Sequence, residues 1–481
     1  MTAEFLYQRL NRRSLVAGVA AAGLGAALAA YHFESPARSA PLDDQALYGH
    51  LLRRAGFGLA PGELGQWQQL GWNAAVDRLV DYQSIPDDAL ETRLTSLNLD
   101  PTNAADIMRW WIVRMVETAR PLEEKMTLFW HGLLTSALTK ALPAEMMVQN
   151  QFLRANALAD YGTILKGITR DPAMMLWLDT ATNRKGHANE NYARELMELF
   201  TMGPGHYSET DVRESARAFT GLVLRRPSKD GVGTTSVFLT GQHDSGQKAF
   251  LGQTGNFGPD DIIDIILQQQ ATPLFLAHRL LVYFLTPTPD QQTVNIIAGV
   301  LKQNNYSTRE AVRAIFLLPE FRANDAYRAG IKSPAEYAAG TLRQLGVKAE
   351  GPYVPYAMTR MGQQLFNPPN VAGWPGGTAW LNSGTWLMRL NLGNYVTASR
   401  KPVPLDVQTI FNGQQPAAPR DFVDRLVAQL IDGNVADSQR QLLHDYAGSS
   451  TAYSSNFAAW FDQNGRSLIY LILALPEYHL N

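Results

Sequence analysis

Apolar residues recur at helical spacing through nearly the whole chain from Asp43 onward, and Pro and Gly break that recurrence at short intervals. This rhythm leaves room for little but packed helices joined by tight connections. Pro121 sits where a first helical residue belongs, with Glu123 and Glu124 in the following turn, where carboxylates favour the positive end of a helix. Leu47 to Ala55 reads as a helix leading into Gly56-Phe57-Gly58, and further helices are expected over Trp72–Tyr82, Ile107–Ala119, Ala144–Leu158, Tyr161–Thr169, Pro273–Leu285 and Pro334–Leu345. Only Leu222–Arg226 and Ser236–Thr240 look like strands, and they read as a hairpin on a helical body. The expected fold is mainly α: a large multi-helix globular body with a small β-hairpin insertion and long Pro/Gly-rich ordered loops. Residues 41–400 form the main domain, with the insertion at about 222–257 and a Pro/Trp loop at about 366–380. Residues 401–481 form a C-terminal helical segment packed on it, reached through a linker at Pro402–Pro419.

Residues 1–40 read as a targeting segment and its linker. Asn11-Arg12-Arg13-Ser14-Leu15 is a twin-arginine pattern ahead of an Ala- and Gly-rich apolar run, Leu15 to Ala30. Small residues at Ala27 and Ala29, or at Ala37 and Ser39, offer cleavage sites. The expectation is passage through the twin-arginine machinery to the periplasm or beyond, with an N-terminal membrane anchor if the segment is not removed. The 481-residue chain has no cysteine, which excludes disulfides, thiolate metal sites and a cysteine nucleophile. Its 42 basic residues against 44 acidic ones give no footprint for nucleic acid.

The densest run of ionisable side chains is Asn189 to Gly221. A helix from Glu190 to Met202 places Tyr192, Ala193, Leu196, Met197, Leu199 and Phe200 on one side, and Glu190, Asn191, Arg194, Glu195 and Glu198 on the other. Gly203-Pro204-Gly205 ends it, and Ser208 with Asp211 forms a capping box for a second helix that ends at Gly221. A solvated face with weak i, i+4 ion pairs accounts for such a pattern. Paired carboxylates account for it too: in a cleft, Arg194 would hold one of Glu195 and Glu198 ionised while burial raised the other. His206, in the turn, and Arg217, on the second helix, belong to the same polar surface.

Other candidates lie on loops and in one apolar helix. His243-Asp244-Ser245-Gly246-Gln247-Lys248 could hold a metal, a phosphate or a sugar, or be a turn whose side chains bond locally. The rigid loop from Phe366 to Gly377, with Trp374 in it and Trp380 beyond, offers aromatic rings that could stack on a sugar or lock the loop to the core. His131 lies among heavy aromatics, as a core histidine or as a ligand.

These landmarks together resemble the bacterial family catalogued as domain of unknown function 1800. The matching segments are His50–Gly58, Leu128-Phe129-Trp130-His131, Asn189–Gly221, His243-Asp244 with Lys248 and Gly252, Lys332-Ser333-Pro334 and Phe366–Gly377. The resemblance covers nearly all of the chain after the targeting segment. It implies export and a partner in a second exported, alkaline-phosphatase-like protein encoded nearby. It carries no established reaction. Members often have a second histidine two places after the one matching His131. Leu133 stands there in this chain, which argues against a two-histidine metal site on that helix.

Two classes of function follow as expectations. One is a hydrolase-like enzyme acting on cell-envelope or extracellular polymer such as glycan. Glu195 and Glu198 would serve as acid and base with Arg194, while His243 and Asp244 complete the catalytic group. Glu190, Asn191, His206, Arg217, Lys248, Trp374 and Trp380 would contact substrate. A metal-dependent variant would draw on His131, His243 and Asp244, whose spacing fits no metal motif. The other class is a non-catalytic partner or scaffold for another exported protein, or a glycan-binding protein.

Overall fold

The computed structural model describes residues 42–225, 233–398, 405–448 and 450–481, the side chains of 450–452 excepted. The targeting segment, Arg226, Pro227 and Gly231 in the hairpin, and Pro402 at the start of the linker lie outside the described residues. The body is mainly helical. The helices that position the polar groups are α1 (Asp44–Arg54), α2 (Ala104–Glu117), α3 (Pro121–Leu133), α4 (Pro143–Ala155), α5 (Asn191–Glu195, continued by a π turn over Leu196–Thr201), α6 (Glu209–Ala218), α7 (Ala271–Phe284), α8 (Pro334–Gln344), α9 (Ser383–Thr397), α10 (Pro419–Ile431) and α11 (Arg466–Leu473). Among the described residues no helix is long and apolar enough to cross a membrane.

The strands form two separate antiparallel pairs. β1 (Leu222–Arg225) pairs with β2 (Thr235–Phe238) in the expected hairpin. A second pair, β3 (Lys248–Phe250) with β4 (Gln253–Gly255), occupies a stretch that reads as loop in the sequence. Its turn holds Leu251 at φ 45° and Gly252 at φ 80°. A two-residue hairpin turn of this kind needs positive φ at both positions, and leucine gives no warning of one. The described part of the expected linker carries a helical turn, Val407–Ile410, with Ile410 and Phe411 buried.

Two hydrophobic cores organise the body. The first gathers Phe129 and Trp130 of α3, Tyr161, Phe200, Phe219 and the Leu276–Phe284 face of α7. The second gathers Trp111 of α2, Tyr337 and Leu342 of α8, Leu392 of α9, Phe422 and Leu426 of α10, and Leu468 and Ile472 of α11. Beside them lies a seam of buried charge. Lys125 of α3 donates to Glu336 of α8, and its ammonium also reaches the carbonyls of Arg53 at 3.2 Å and Gly56 at 3.1 Å. Glu336 is also the cap acid of α8, taking the Ser333 N–H at 2.7 Å. Arg53 of α1 donates to Asp432, which also accepts from Arg328 at 3.2 Å and from the Tyr327 hydroxyl at 2.9 Å. A Cβ on Gly49 would sit 2.1 Å from the Asp432 carboxylate, so a glycine in α1 is what lets that carboxylate approach.

Burial alone would push the Glu336 carboxyl up, but the Lys125 ammonium outweighs burial and holds it below the ordinary carboxylate range. A carboxyl depressed in this way contributes stability that is present above its unfolded value and lost as pH falls below it. Glu336→Gln therefore leaves a buried ammonium unmatched and costs about 3–5 kcal/mol in urea unfolding at pH 7. The deficit against wild type shrinks as the pH is lowered below the carboxylate range. A cost that stays the same from pH 7 down to pH 3 would show that the pair is not ionised.

Candidate functional site

The polar face of α5 is shaped by the π turn that continues it. Thr201 donates its hydroxyl to the Leu196 carbonyl at 2.5 Å, and the Met202 and Gly203 N–H groups both return to the Met197 carbonyl. The helix is wider there by a residue per turn, a feature that recurs at functional sites. Gly203 and Gly205, at φ 82° and 86°, turn the chain back into α6. Ser208 and Asp211 then cap α6 reciprocally: the Asp211 N–H reaches the Ser208 hydroxyl, and the Ser208 N–H reaches the Asp211 carboxylate at 2.8 Å.

Within this frame the ionisable groups divide sharply. Arg194 is held bidentately by Glu209 at 2.7 and 2.8 Å, with Glu190 at 3.4 Å behind it. Asn191 donates to Asp179 at 3.1 Å. Glu198 accepts the Tyr207 hydroxyl at 2.6 Å. Glu195 is half-buried and has no hydrogen-bond or ion-pair partner among the described residues. Burial raises its carboxyl, the Glu198 charge one turn on raises it further, and Arg194 only moderates the effect. His206 is exposed in the turn and makes no hydrogen bond among the described residues.

The C-terminal end of α6 carries a second polar group, bound to the β3–β4 hairpin. Arg217 donates to both oxygens of Asp244, at 2.8 and 3.2 Å, and to Glu214 at 2.7 Å. The hydrogen bond from Arg217, added to the Gly246 N–H and the surrounding positive charge, lowers Asp244 to about 2. His243 Nδ1 donates to the Thr220 carbonyl at 2.9 Å. Lys248 is 1% exposed, and its ammonium is spent on the carbonyls of Asp244 at 2.6 Å and Gly246 at 3.1 Å. Asp211 and Glu214 of α6 accept the N–H groups of Leu251 and Ala249. Arg217, Asp244 and His243 thus fasten the hairpin and its approach to α6 and its end, and Lys248 braces that approach loop from within.

The aromatic loop is held by other elements. Trp380 is 6% exposed and locked against Gly362, whereas Trp374 is half-exposed with its ring 5.6 Å from that of His131. The loop is fixed to the end of α3: the Thr135 hydroxyl donates to the Val371 carbonyl at 2.7 Å, and the Leu138 N–H to the Phe366 carbonyl at 3.0 Å. His131 is 1% exposed, and burial takes its imidazole down to about 3, so it is neutral at ordinary pH. Among the described residues no hydrogen bond, ion pair or ring contact joins His131, Trp374 or Trp380 to the α5–α6 pair. No group of three or more His, Asp or Glu able to hold a metal ion occurs among them either.

The structure therefore brings Glu190, Asn191, Arg194, Glu195 and Glu198 onto one face. It sets Arg217, His243, Asp244 and Lys248 at the far end of α6, and among the described residues no direct contact joins the tryptophans and His131 to either group. Sequence reasoning missed Tyr207 and Glu209, which tie down Glu198 and Arg194. The only signal was their place in the turn, beside a capping serine. It also missed Asn183, buried, which donates to the Ala216 carbonyl at 2.8 Å and accepts the Asn189 N–H at 2.9 Å, joining the approach loop to α6.

The family model described as "Protein of unknown function (DUF1800)" matches residues 50–480, and the chain belongs to that family. No curated protein and no solved structure matches the chain.

A carboxyl raised above its unfolded value carries a penalty that is absent below the carboxylate range and grows as pH rises through the raised value. Glu195→Gln removes that penalty. Its melting temperature should equal or exceed that of wild type at pH 8, and the advantage should fade at pH 4. A marked loss of stability at pH 8 would mean that Glu195 is structural glue.

Proposed function

We propose that this member of a family of unknown function is a hydrolase-like enzyme acting on cell-envelope or extracellular polymer, with glycan the substrate class. The observation that carries the reading is the contrast between two neighbouring carboxyls. Glu195 is half-buried, unpaired and raised, and Glu198 is held by the Tyr207 hydroxyl. A half-buried, raised carboxyl suits a proton donor, and a carboxyl oriented by a hydroxyl suits an acceptor. Glu195, protonated, gives its proton to the leaving oxygen as the scissile bond breaks. Glu198, oriented by the Tyr207 hydroxyl, takes a proton from the water whose oxygen bonds to the reacting centre. The net change is addition of one water across the bond, and both groups end in reversed protonation states that exchange with solvent. Both carboxyls project from one helix face, so the substrate must lie along α5 rather than across it. Trp374 plays no part in this reading.

Action outside the cytoplasm rests on the Arg12-Arg13 pattern and its apolar run. A second reading, a non-catalytic partner of another exported protein, is favoured by one observation. The Arg194–Glu209 and Arg217–Asp244 pairs already satisfy much of the charge that a polymer would otherwise meet.

Purified protein incubated with isolated envelope polysaccharide should release reducing ends. Glu195→Gln should lower the rate by about 10²–10⁴, the usual contribution of a positioned proton donor, and abolish the decline of rate at high pH. Full activity in that variant, or a stoichiometric exported partner with no turnover, would replace the enzyme with the scaffold.

A further inference from the structure

The seam between α1, α8 and α9 holds more positive charge than its carboxylates match. Glu336 is matched by Lys125. Its charge also bears on Arg54, Lys332 and Arg389, so six buried cations (Lys125, Arg53, Arg54, Arg328, Lys332 and Arg389) face two carboxylates, Glu336 and Asp432, among the described side chains. Guanidinium groups do not shed their charge in proteins. Lys332 can, and burial, reinforced by Arg53 and Arg328, pushes it well below its ordinary value. Even with Lys332 neutral, the excess persists.

These groups are also short of partners. Among the described residues Arg54 donates only to the carbonyls of Leu285 and Ala326, at 3.0 and 3.3 Å, and Arg389 only to that of Lys332, at 2.7 Å. Buried N–H groups on Arg53 (Nε and Nη2), Arg328 (Nε) and Arg389 (Nε and Nη1) have no acceptor among the described residues. Lys332 is near enough to Arg53 and Arg328 for their charges to bear on it, and its carbonyl takes the Arg389 guanidinium. Its Nζ sits 4.0 Å above the Tyr478 ring with no hydrogen bond among the described residues, and that ring is 5.8 Å from Tyr337, over which Arg389 lies at 5.1 Å. An unmatched buried charge costs several kcal/mol, and a folded chain does not accumulate several of them without a counter-charge.

We infer that this seam binds a small tetrahedral oxyanion of the phosphate–sulfate class, held by Lys332 with the guanidinium groups of Arg53 and Arg328. The excess of charge favours a divalent anion over a halide, and N–H groups arriving from different helices suit an acceptor with oxygens on several sides. The segments that converge here, His50–Gly58 and Lys332-Ser333-Pro334, are two of those that carry the family resemblance and that the α5–α6 face does not use.

Exhaustively dialysed wild-type protein should be unfolded in urea and the released anions separated by ion chromatography. The expected result is about one phosphate or sulfate per chain, and the ion found identifies the source. Where dialysis has stripped the site, added phosphate or sulfate should raise the melting temperature above that in chloride of equal ionic strength. The rise should be about 3 °C at a hundredfold excess over Kd. Lys332→Met should lose the anion-selective rise while keeping its helical circular dichroism. Should that variant fail to fold, the released-anion assay of the wild type decides, because sulfate and phosphate also raise melting temperatures by exclusion from protein surfaces. No released oxyanion together with equal melting temperatures in all three salts overturns the inference, and leaves water and a neutral lysine to balance the seam.

Discussion

The pairing of buried charge across α1, α3, α8 and α10 is the constraint from which the rest of the architecture follows. Lys125–Glu336 and Arg53–Asp432 join helices that contribute to different cores, and their groups are almost wholly removed from water. Such pairs add little net stability over apolar packing, because desolvation offsets most of the attraction. What they supply is a penalty for misplacement: a helix shifted by one turn leaves a charge buried and alone. In a chain with no cysteine, this is how two separately packed cores are held in one register. The stabilising area itself comes from the cores, from side chains such as Trp111, Trp130, Phe200 and Phe422.

The α5–α6 face obeys the opposite logic. Its ion pairs are partly exposed, so each contributes at most about 1 kcal/mol. Their consequence is positional. Arg194, committed to Glu209, is not free to neutralise Glu195, and Tyr207 fixes the carboxylate of Glu198. One carboxyl left unpaired beside several that are paired is an arrangement that costs stability locally and is retained only against a firm scaffold. The buried apolar side of α5, with Tyr192, Leu196, Met197 and Phe200, supplies that firmness.

Local signals were legible in the sequence, and non-local ones were not. Pro121 opens α3, the Ser208–Asp211 box caps α6, and the apolar side of α5 falls where a 100° step puts it, because each depends on neighbours within a turn. The π turn escaped notice because a hydroxyl bond from Thr201 to Leu196 leaves no mark on a periodic pattern. The β3–β4 hairpin escaped because its strands are three residues each and Leu251 occupies a position where asparagine or glycine would have announced the turn. In the candidate site, the residue types were read correctly as charged and clustered, but not which would be consumed. Asp244 lies 27 residues from Arg217, and nothing in either segment points to the other. The seam was the least legible of all, since Arg53 and Asp432 are 379 residues apart.

That distance bears on where family resemblance should be sought for chemistry and where for construction. The His50–Gly58 segment reads as a polar helix end, with two arginines in its last turn, where cations complement the helix dipole and usually face solvent. Folding turns both inward. Arg53 finds the one carboxylate that Gly49 lets approach, and Arg54 finds two backbone carbonyls. Gly49 is therefore a constraint on a charge rather than on a turn: it is helical, and a methyl group there would displace Asp432. The same holds for Gly330, where a Cβ would stand 3.1 Å from an Arg54 nitrogen. Small residues beside buried cations keep the space that the counter-charge requires. A signature built of arginine, lysine and glycine in separate segments is thus the imprint of one electrostatic joint, legible only after the chain has closed around it.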